Sequence, residues 1–231
     1  TLYRSKYLPK DVIGEMSLDI QITREDKVTL DNDRGWKKGQ VVEKVVRSAM
    51  AQLQMPFIPY TELPDQIKQG DYVVQAYGEL KDTEVKSISG YNGVDKLYMD
   101  IFYYNLQGNG VKAYKQYKST GHEFGWLYTC SADWLIGYNY RSGNMYIIKN
   151  FQHLKEQVRH NVILSCYGDK VRAVEGLEQR STRKLSPWMN WYINKNDKSK
   201  QTLTVTLDLT MQAFVALGID CQIIKINLIV S

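Results

Sequence analysis

The stretch from Gly70 to Ile88 constrains this chain more than any other. Tyr72–Ala76 and Thr83–Ile88 are short runs rich in β-branched and aromatic residues, separated by the polar segment Gly78-Glu-Leu-Lys-Asp82. That pattern predicts a β-hairpin turning over residues 78–82. A hairpin does not stand alone in water, so the chain must supply further strands or a helix to cover it. The helix precedes it. Val41, Val42, Val45, Val46, Ala49 and Leu53 recur at helical spacing and predict an amphipathic helix over 39–54, ended by Pro56, Pro59 and Pro64.

Further elements follow at short intervals. Leu97–Tyr104, Trp134–Tyr138 and Met145–Ile148 read as strands, with turns at Gly108-Asn-Gly110 and Arg141-Ser-Gly-Asn144, and Phe151–Val162 reads as a helix. Leu203–Leu207 alternates like a strand, Met211–Leu217 suits a short helix, and Ile223–Val230 reads as a closing strand. The organisation expected is an N-terminal segment 1–38, an α/β core 39–165 and a C-terminal α+β extension 166–231 packed on it. The charge is uneven. Of the net +5, residues 180–231 carry seven basic side chains against three acidic ones.

Composition narrows the class. The chain has 231 residues, 43% of them apolar, with 17 Tyr and 5 Trp, which is the content of a globular protein with a real core and not of a disordered chain. No apolar stretch approaches the roughly 18–20 residues of a bilayer-spanning helix, which argues against an integral membrane protein. The N-terminal Thr-Leu-Tyr-Arg-Ser-Lys-Tyr carries no apolar signal-peptide core and no initiator Met, as expected of a trimmed end. Cys130, Cys166 and Cys221 are three widely spaced cysteines without a Cys-x-x-Cys pair, so they read as small buried hydrophobes in a reducing, cytoplasmic setting. With only His122, His153 and His160 present, carboxylates and lysines must carry any reaction.

The hairpin supplies such groups. Alternate residues share a strand face, so Glu84 and Lys86 project the same way, and the fold-back brings Asp71 to the same end of the sheet in a register that the sequence does not fix. Two carboxylates of this kind suit Mg²⁺, which takes one or two carboxylates together with water and substrate phosphate. A Lys beside them orients the attacking water and offsets charge building on a phosphodiester. Alternating charge on an exposed strand is the competing, purely structural reading.

This arrangement resembles the PD-(D/E)xK nuclease superfamily, with its restriction-endonuclease-like fold. Glu84-Val-Lys86 matches the (Asp/Glu)-x-Lys element, and Asp71, 13 residues upstream at the opening of a strand, matches the acidic residue before it. Asp65, in the literal Pro64-Asp65 pair, is the fallback, and Asp100 in Leu97-Tyr-Met-Asp-Ile-Phe102 is a further acid of unassigned role. Glu43, in Gln40-Val-Val-Glu-Lys-Val-Val46, looks like the family's helix-borne carboxylate. Gly125–Ile136 and Asn144–Lys155 are similar to segments of phage and mobile-element members.

The resemblance implies a central mixed sheet with the hairpin at its middle, helix 39–54 on one face and helix 151–162 on the other. It implies Mg²⁺-dependent hydrolysis of DNA, with Mn²⁺ as a substitute. Asp71, Glu84 and Glu43 would hold the metal, Lys86 would position the water, and a homodimer would be the assembly. Two basic segments interleaved with aromatics are the expected DNA contacts: Lys112, Lys115 and Lys118 with Tyr114 and Tyr117, and Arg180, Arg183 and Lys184 with Trp188 and Trp191. The alternatives are a non-catalytic DNA-binding or assembly protein on the same fold, and an unrelated α/β protein.

Overall fold

The computed structural model describes residues 16–33, 35–59, 70–88, 95–106, 122–158, 189–194, 201–210 and 218–231. It is a mixed α/β chain that divides into two compact units, one of Thr1–Leu97, Ser131–Phe151 and Thr210–Ser231, the other of Tyr98–Cys130 and Gln152–Leu209. These divisions run across the sequence-based boundaries at 38 and 165.

The first unit is built on a seven-stranded sheet. Its strands are β1 (Ser17–Ile22), β2 (Phe57–Pro59), β3 (Tyr72–Ala76), β4 (Glu79–Ser87), β7 (Trp134–Asn139), β8 (Asn144–Ile148) and β11 (Cys221–Val230), in the order β1-β11-β8-β7-β4-β3-β2. β1/β11 and β4/β7 are parallel pairs and the remaining neighbours are antiparallel. The hairpin β3–β4 therefore sits toward one edge, and the middle of the sheet is β7. Every residue of β7 is buried, so its sequence Trp-Leu-Ile-Gly-Tyr-Asn reads as a continuous apolar run more than as an alternation.

Among the described residues, two helices lie wholly in this unit. α1 (Arg24–Asn32) starts from a capping box in which Thr23 Oγ1 accepts from the Asp26 N–H and the Thr23 N–H donates to Asp26 Oδ2, both at 3.1 Å. α2 (Trp36–Gln52) begins three residues earlier than the periodicity predicts and stops before Leu53. Its stripe Val41, Val42, Val45, Val46, Ala49 and Met50 packs on Ile20, Ile22, Val74, Val85, Ile136, Met145, Ile147, Ile224 and Ile226 of the sheet. Each such side chain, fully buried, contributes roughly 1.5–3 kcal/mol relative to exposure. Past the helix the chain turns at Gln54 (φ 59°), the Met55 N–H returns to the Met50 carbonyl at 2.9 Å, and Pro56 opens β2.

The β3–β4 turn is tighter than expected. The two central residues are Tyr77 (φ 53°) and Gly78 (φ 82°), and β4 begins at Glu79, so residues 79–82 are strand and not loop. Positive φ at both central residues is the geometry whose twist matches that of the flanking strands.

At the opposite end of β7, the buried carboxylate of Asp95 ties the β7–β8 turn together. It accepts from Asn139 Nδ2 at 2.5 Å, Asn144 Nδ2 at 2.9 Å, Ser142 Oγ at 3.0 Å and the Tyr146 hydroxyl. Here a buried acid is satisfied by neutral donors, and the sequence reading passed over it.

The second unit holds β5 (Lys96–Leu106, entered from the first unit), β6 (His122–Phe124), β9 (Met189–Asn194) and β10 (Gln201–Thr210) in a four-stranded sheet of order β6-β5-β10-β9. It also contains the short α3 (Trp126–Thr129) and α4 (Phe151–Val158), the latter apart from Phe151. Lys155 Nζ of α4 donates to the Cys130 carbonyl at 2.5 Å. Cys130 is buried, as a small hydrophobe would be. Strand 97–104 therefore belongs to a different sheet from the hairpin. β11, expected within a C-terminal extension, runs inside the main sheet between β1 and β8.

Candidate active site

The hairpin register sets the site. Tyr72 pairs with Thr83, and continuing by one residue sets Asp71 opposite Glu84. The Asp71 N–H donates to the Thr83 carbonyl at 2.9 Å, and Asp71 Oδ2 accepts from the Val85 N–H at 2.9 Å. β3 begins only at Tyr72, so the Asp71 side chain takes the ladder donor that a longer strand would have paired through its backbone. Gly70 makes this approach possible. It lies at φ 115°, and a Cβ there would sit 2.7 Å from the Thr83 carbonyl oxygen.

Glu84 is 7% exposed and pairs directly with Lys86, two residues on along the same face of β4. Burial pushes the Glu84 carboxyl up to about 6; Lys86 opposes that shift, while the charges of Asp71 and Glu43 add to it. Burial also raises the Asp71 carboxyl, against the pull of Lys86 and of the Val85 N–H. Three carboxylates and one lysine thus feel one another at one end of the hairpin.

Glu43 reaches this group from α2 through a side chain that sequence reasoning missed. The Tyr72 hydroxyl donates to Glu43 Oε2 at 2.6 Å. Tyr72 is 7% exposed and stacks on Phe57 with centroids 4.9 Å apart, and Arg47 lies 5.9 Å from its ring on the outer side. Burial and the Glu43 charge both raise the phenol's pKa, so it stays a donor. The only sequence signal was adjacency: Tyr72 follows Asp71, and Arg47 follows Glu43 by one helical turn.

The chemistry available is that of a hard, anionic oxygen site with one ammonium group. Among the described residues no group of three or more His, Cys, Asp or Glu is close enough to hold an ion unaided. Mg²⁺ does not need one, since one or two carboxylates plus water and a substrate phosphate complete its shell. Asp71 and Glu84 face each other across the hairpin, two carboxylates of the kind such an ion takes, so the donor set fits.

The other expected residues fall elsewhere. Asp65, Lys112, Lys115, Lys118, Arg180, Arg183 and Lys184 lie outside the described residues. Asp100 is on β5 in the second unit, whereas the Asp71 group is in the first. Cys221 is partly buried, with its thiol pushed up to about 12 by burial, which fits an inert side chain more than a nucleophile.

No family model matches the chain, and no curated protein matches it. Among solved structures it is similar to a bacterial homing endonuclease, at 13% identity and a TM-score of 0.34, over 48% of this chain and 66% of that one. The matched region is thus just under two thirds of that endonuclease's length.

Proposed function

We propose that this chain is a metal-dependent deoxyribonuclease that hydrolyses DNA phosphodiester bonds at the Asp71–Glu84–Lys86 group. The observation that carries the reading is the buried Glu84 carboxylate, paired with the half-buried Lys86 and set across the hairpin from Asp71. Burying an acid that must pay for desolvation is costly, and such groups cluster where chemistry is done.

Asp71 and Glu84 would hold Mg²⁺ or Mn²⁺, with Glu43 available for a second ion or a water. The ion would supply Lewis-acid polarisation of the phosphate and of the attacking water. The chain's own residues do the rest. Lys86 donates hydrogen bonds to the water and to a non-bridging phosphate oxygen, fixing the line of attack and offsetting the charge that builds there. Its pairing with Glu84 keeps the ammonium from swinging away between turnovers. Tyr72 fixes the rotamer of Glu43, so that the third carboxylate is held in place before substrate arrives.

The test is incubation of the purified protein with supercoiled plasmid, linear duplex and single-stranded DNA in Mg²⁺, in Mn²⁺ and in EDTA, beside a Glu84→Ala control. Cleavage that needs metal and disappears in the control supports the reading. DNA binding without cleavage of any substrate moves the assignment to a non-catalytic DNA-binding protein on the same fold.

A further inference from the structure

A cleft of about 360 Å³ runs between the outer side of α2 and β2, lined by Lys44, Arg47 and Ser48 from the helix, Ala51 at its base, and Pro56 and Phe57 opposite. All six residues lie in the first unit, as does the candidate active site. One wall is cationic and hydroxylic and the other is a flat apolar surface. That is the combination a sugar–phosphate chain presents in reverse: anionic oxygens along one side and deoxyribose carbons along the other.

The cleft is joined to the site by side-chain contacts. Phe57, at its apolar wall, stacks on Tyr72, and the Tyr72 hydroxyl holds Glu43, one helical turn before Arg47. Arg47 is exposed, with its guanidinium 5.9 Å from the Tyr72 ring. Lys44 is 54% exposed and pairs with Asp26 at 2.5 Å. The Asp26 side chain is the less exposed partner, and Lys44 stays open enough to solvent for a phosphate to approach its ammonium from that side.

We propose that this cleft is a DNA backbone subsite, in which Arg47 and Lys44 hold phosphates of the strand that enters the Asp71–Glu84–Lys86 group. It rests on the nuclease reading for its role, but its occupancy is measurable without catalysis. Arg47 offers a planar fork that grips phosphate oxygens in two places. Phe57 and Pro56 cover the sugar and keep the strand from rolling off the helix.

The experiment is fluorescence anisotropy of a labelled 20-base-pair duplex in EDTA, over a salt series, for the wild type, Arg47→Ala, Arg47→Lys and Lys44→Ala/Arg47→Ala. Lys225→Ala, at an exposed lysine on β11, is the charge-matched control. Circular dichroism melts verify that each variant folds. The expected result is a loss of about tenfold in affinity for Arg47→Ala, equivalent to roughly 1.4 kcal/mol. The double variant should lose more, with the salt slope falling by about one for each phosphate contact removed. Arg47→Lys recovers the slope and part of the affinity, and Lys225→Ala matches the wild type.

Unchanged affinity and slope in the double variant would overturn the subsite while leaving cleavage by the wild type to support the nuclease. Loss of affinity in the variants, with no cleavage in Mg²⁺ or Mn²⁺ by the wild type, would uphold the subsite and sink the nuclease reading. Equal binding of a poly-glutamate peptide, lost in the same variants, would reassign the cleft to acidic protein partners and overturn it.

Discussion

Asp71 accepts the Val85 backbone N–H through its side chain at 2.9 Å, so the residue best suited to bind a cation is also a rung of the β-ladder. One of its oxygens thus has a structural duty. The two roles separate by substitution. Asp71→Asn keeps an acceptor for Val85, so stability in urea should stay close to the wild type, while Mn²⁺ affinity measured by calorimetry should fall at least tenfold. Asp71→Ala also leaves the Val85 N–H without its partner and should lose about 1–3 kcal/mol of stability.

Glu84 should make the protein less stable at neutral pH than its amide analogue. Its carboxyl is raised from 4.5 to about 6. Below the unfolded value both states are protonated and the contribution to stability is complete. As pH rises the unfolded chain ionises first, and by the folded value the contribution has been lost. A shift of that size corresponds to about 2 kcal/mol. The unfolding free energy of Glu84→Gln should therefore exceed that of the wild type by about that amount at pH 8 and match it near pH 4. Metal-dependent cleavage by the wild type should rise through pH 6, where Glu84 ionises, and a midpoint near 4.5 would contradict the buried pair.

Lys86→Ala separates binding from chemistry. The variant should bind duplex in EDTA within about threefold of the wild type, since one ammonium among many phosphate contacts carries little of the affinity. Cleavage should fall by at least about a hundredfold, the scale of losing a positioned donor to the transition state. Lys86 is also what restrains the rise in the Glu84 pKa. In the variant the acid limb of any residual activity should move above pH 6, and a limb that moves down would show that Lys86 is not the partner of Glu84.

Gly70→Ala tests the close approach that seats Asp71. The new Cβ would lie against backbone, 2.7 Å from the Thr83 carbonyl oxygen, at a φ of 115° that L side chains rarely adopt. Neither obstacle relaxes by a rotamer change. We expect a loss of stability of about 1–3 kcal/mol together with weakened Mn²⁺ affinity. Gly78→Ala, at the turn with nothing within 4 Å, should cost stability without touching metal binding.

What the sequence revealed followed locality. The stripe Val41, Val42, Val45, Val46 and Ala49 announces α2 because each residue is a helical neighbour of the next. Glu84 and Lys86 share a face because the strand period is two. Contacts that depend on how separate elements dock were not visible in this way. The Tyr72–Glu43 bond, across 29 positions, needs the rotation of α2 over the hairpin, which no local pattern encodes. Asp95 drew no attention, because its partners Asn139, Ser142, Asn144 and Tyr146 look like ordinary turn and strand residues until the β7–β8 turn closes on it. The expected turn at 78–82 failed for a different reason: Glu79, Lys81 and Asp82 are polar, yet they form the opening of a strand instead of a loop.

The parallel pairing of β1 with β11 has a consequence for how the chain is made. Ser17 is the register partner of Lys225, so the strand near one end of the sequence waits for one translated more than 200 residues later. Until then β1 has no partner and β8 is open on the side that β11 will cover. A nascent or prematurely stopped chain therefore exposes two bare sheet edges, the state in which strands recruit other molecules. β11 closes both. Synthesis of this protein should accordingly be sensitive to chaperone supply and to truncation before β11, in proportion to the time those edges stay open.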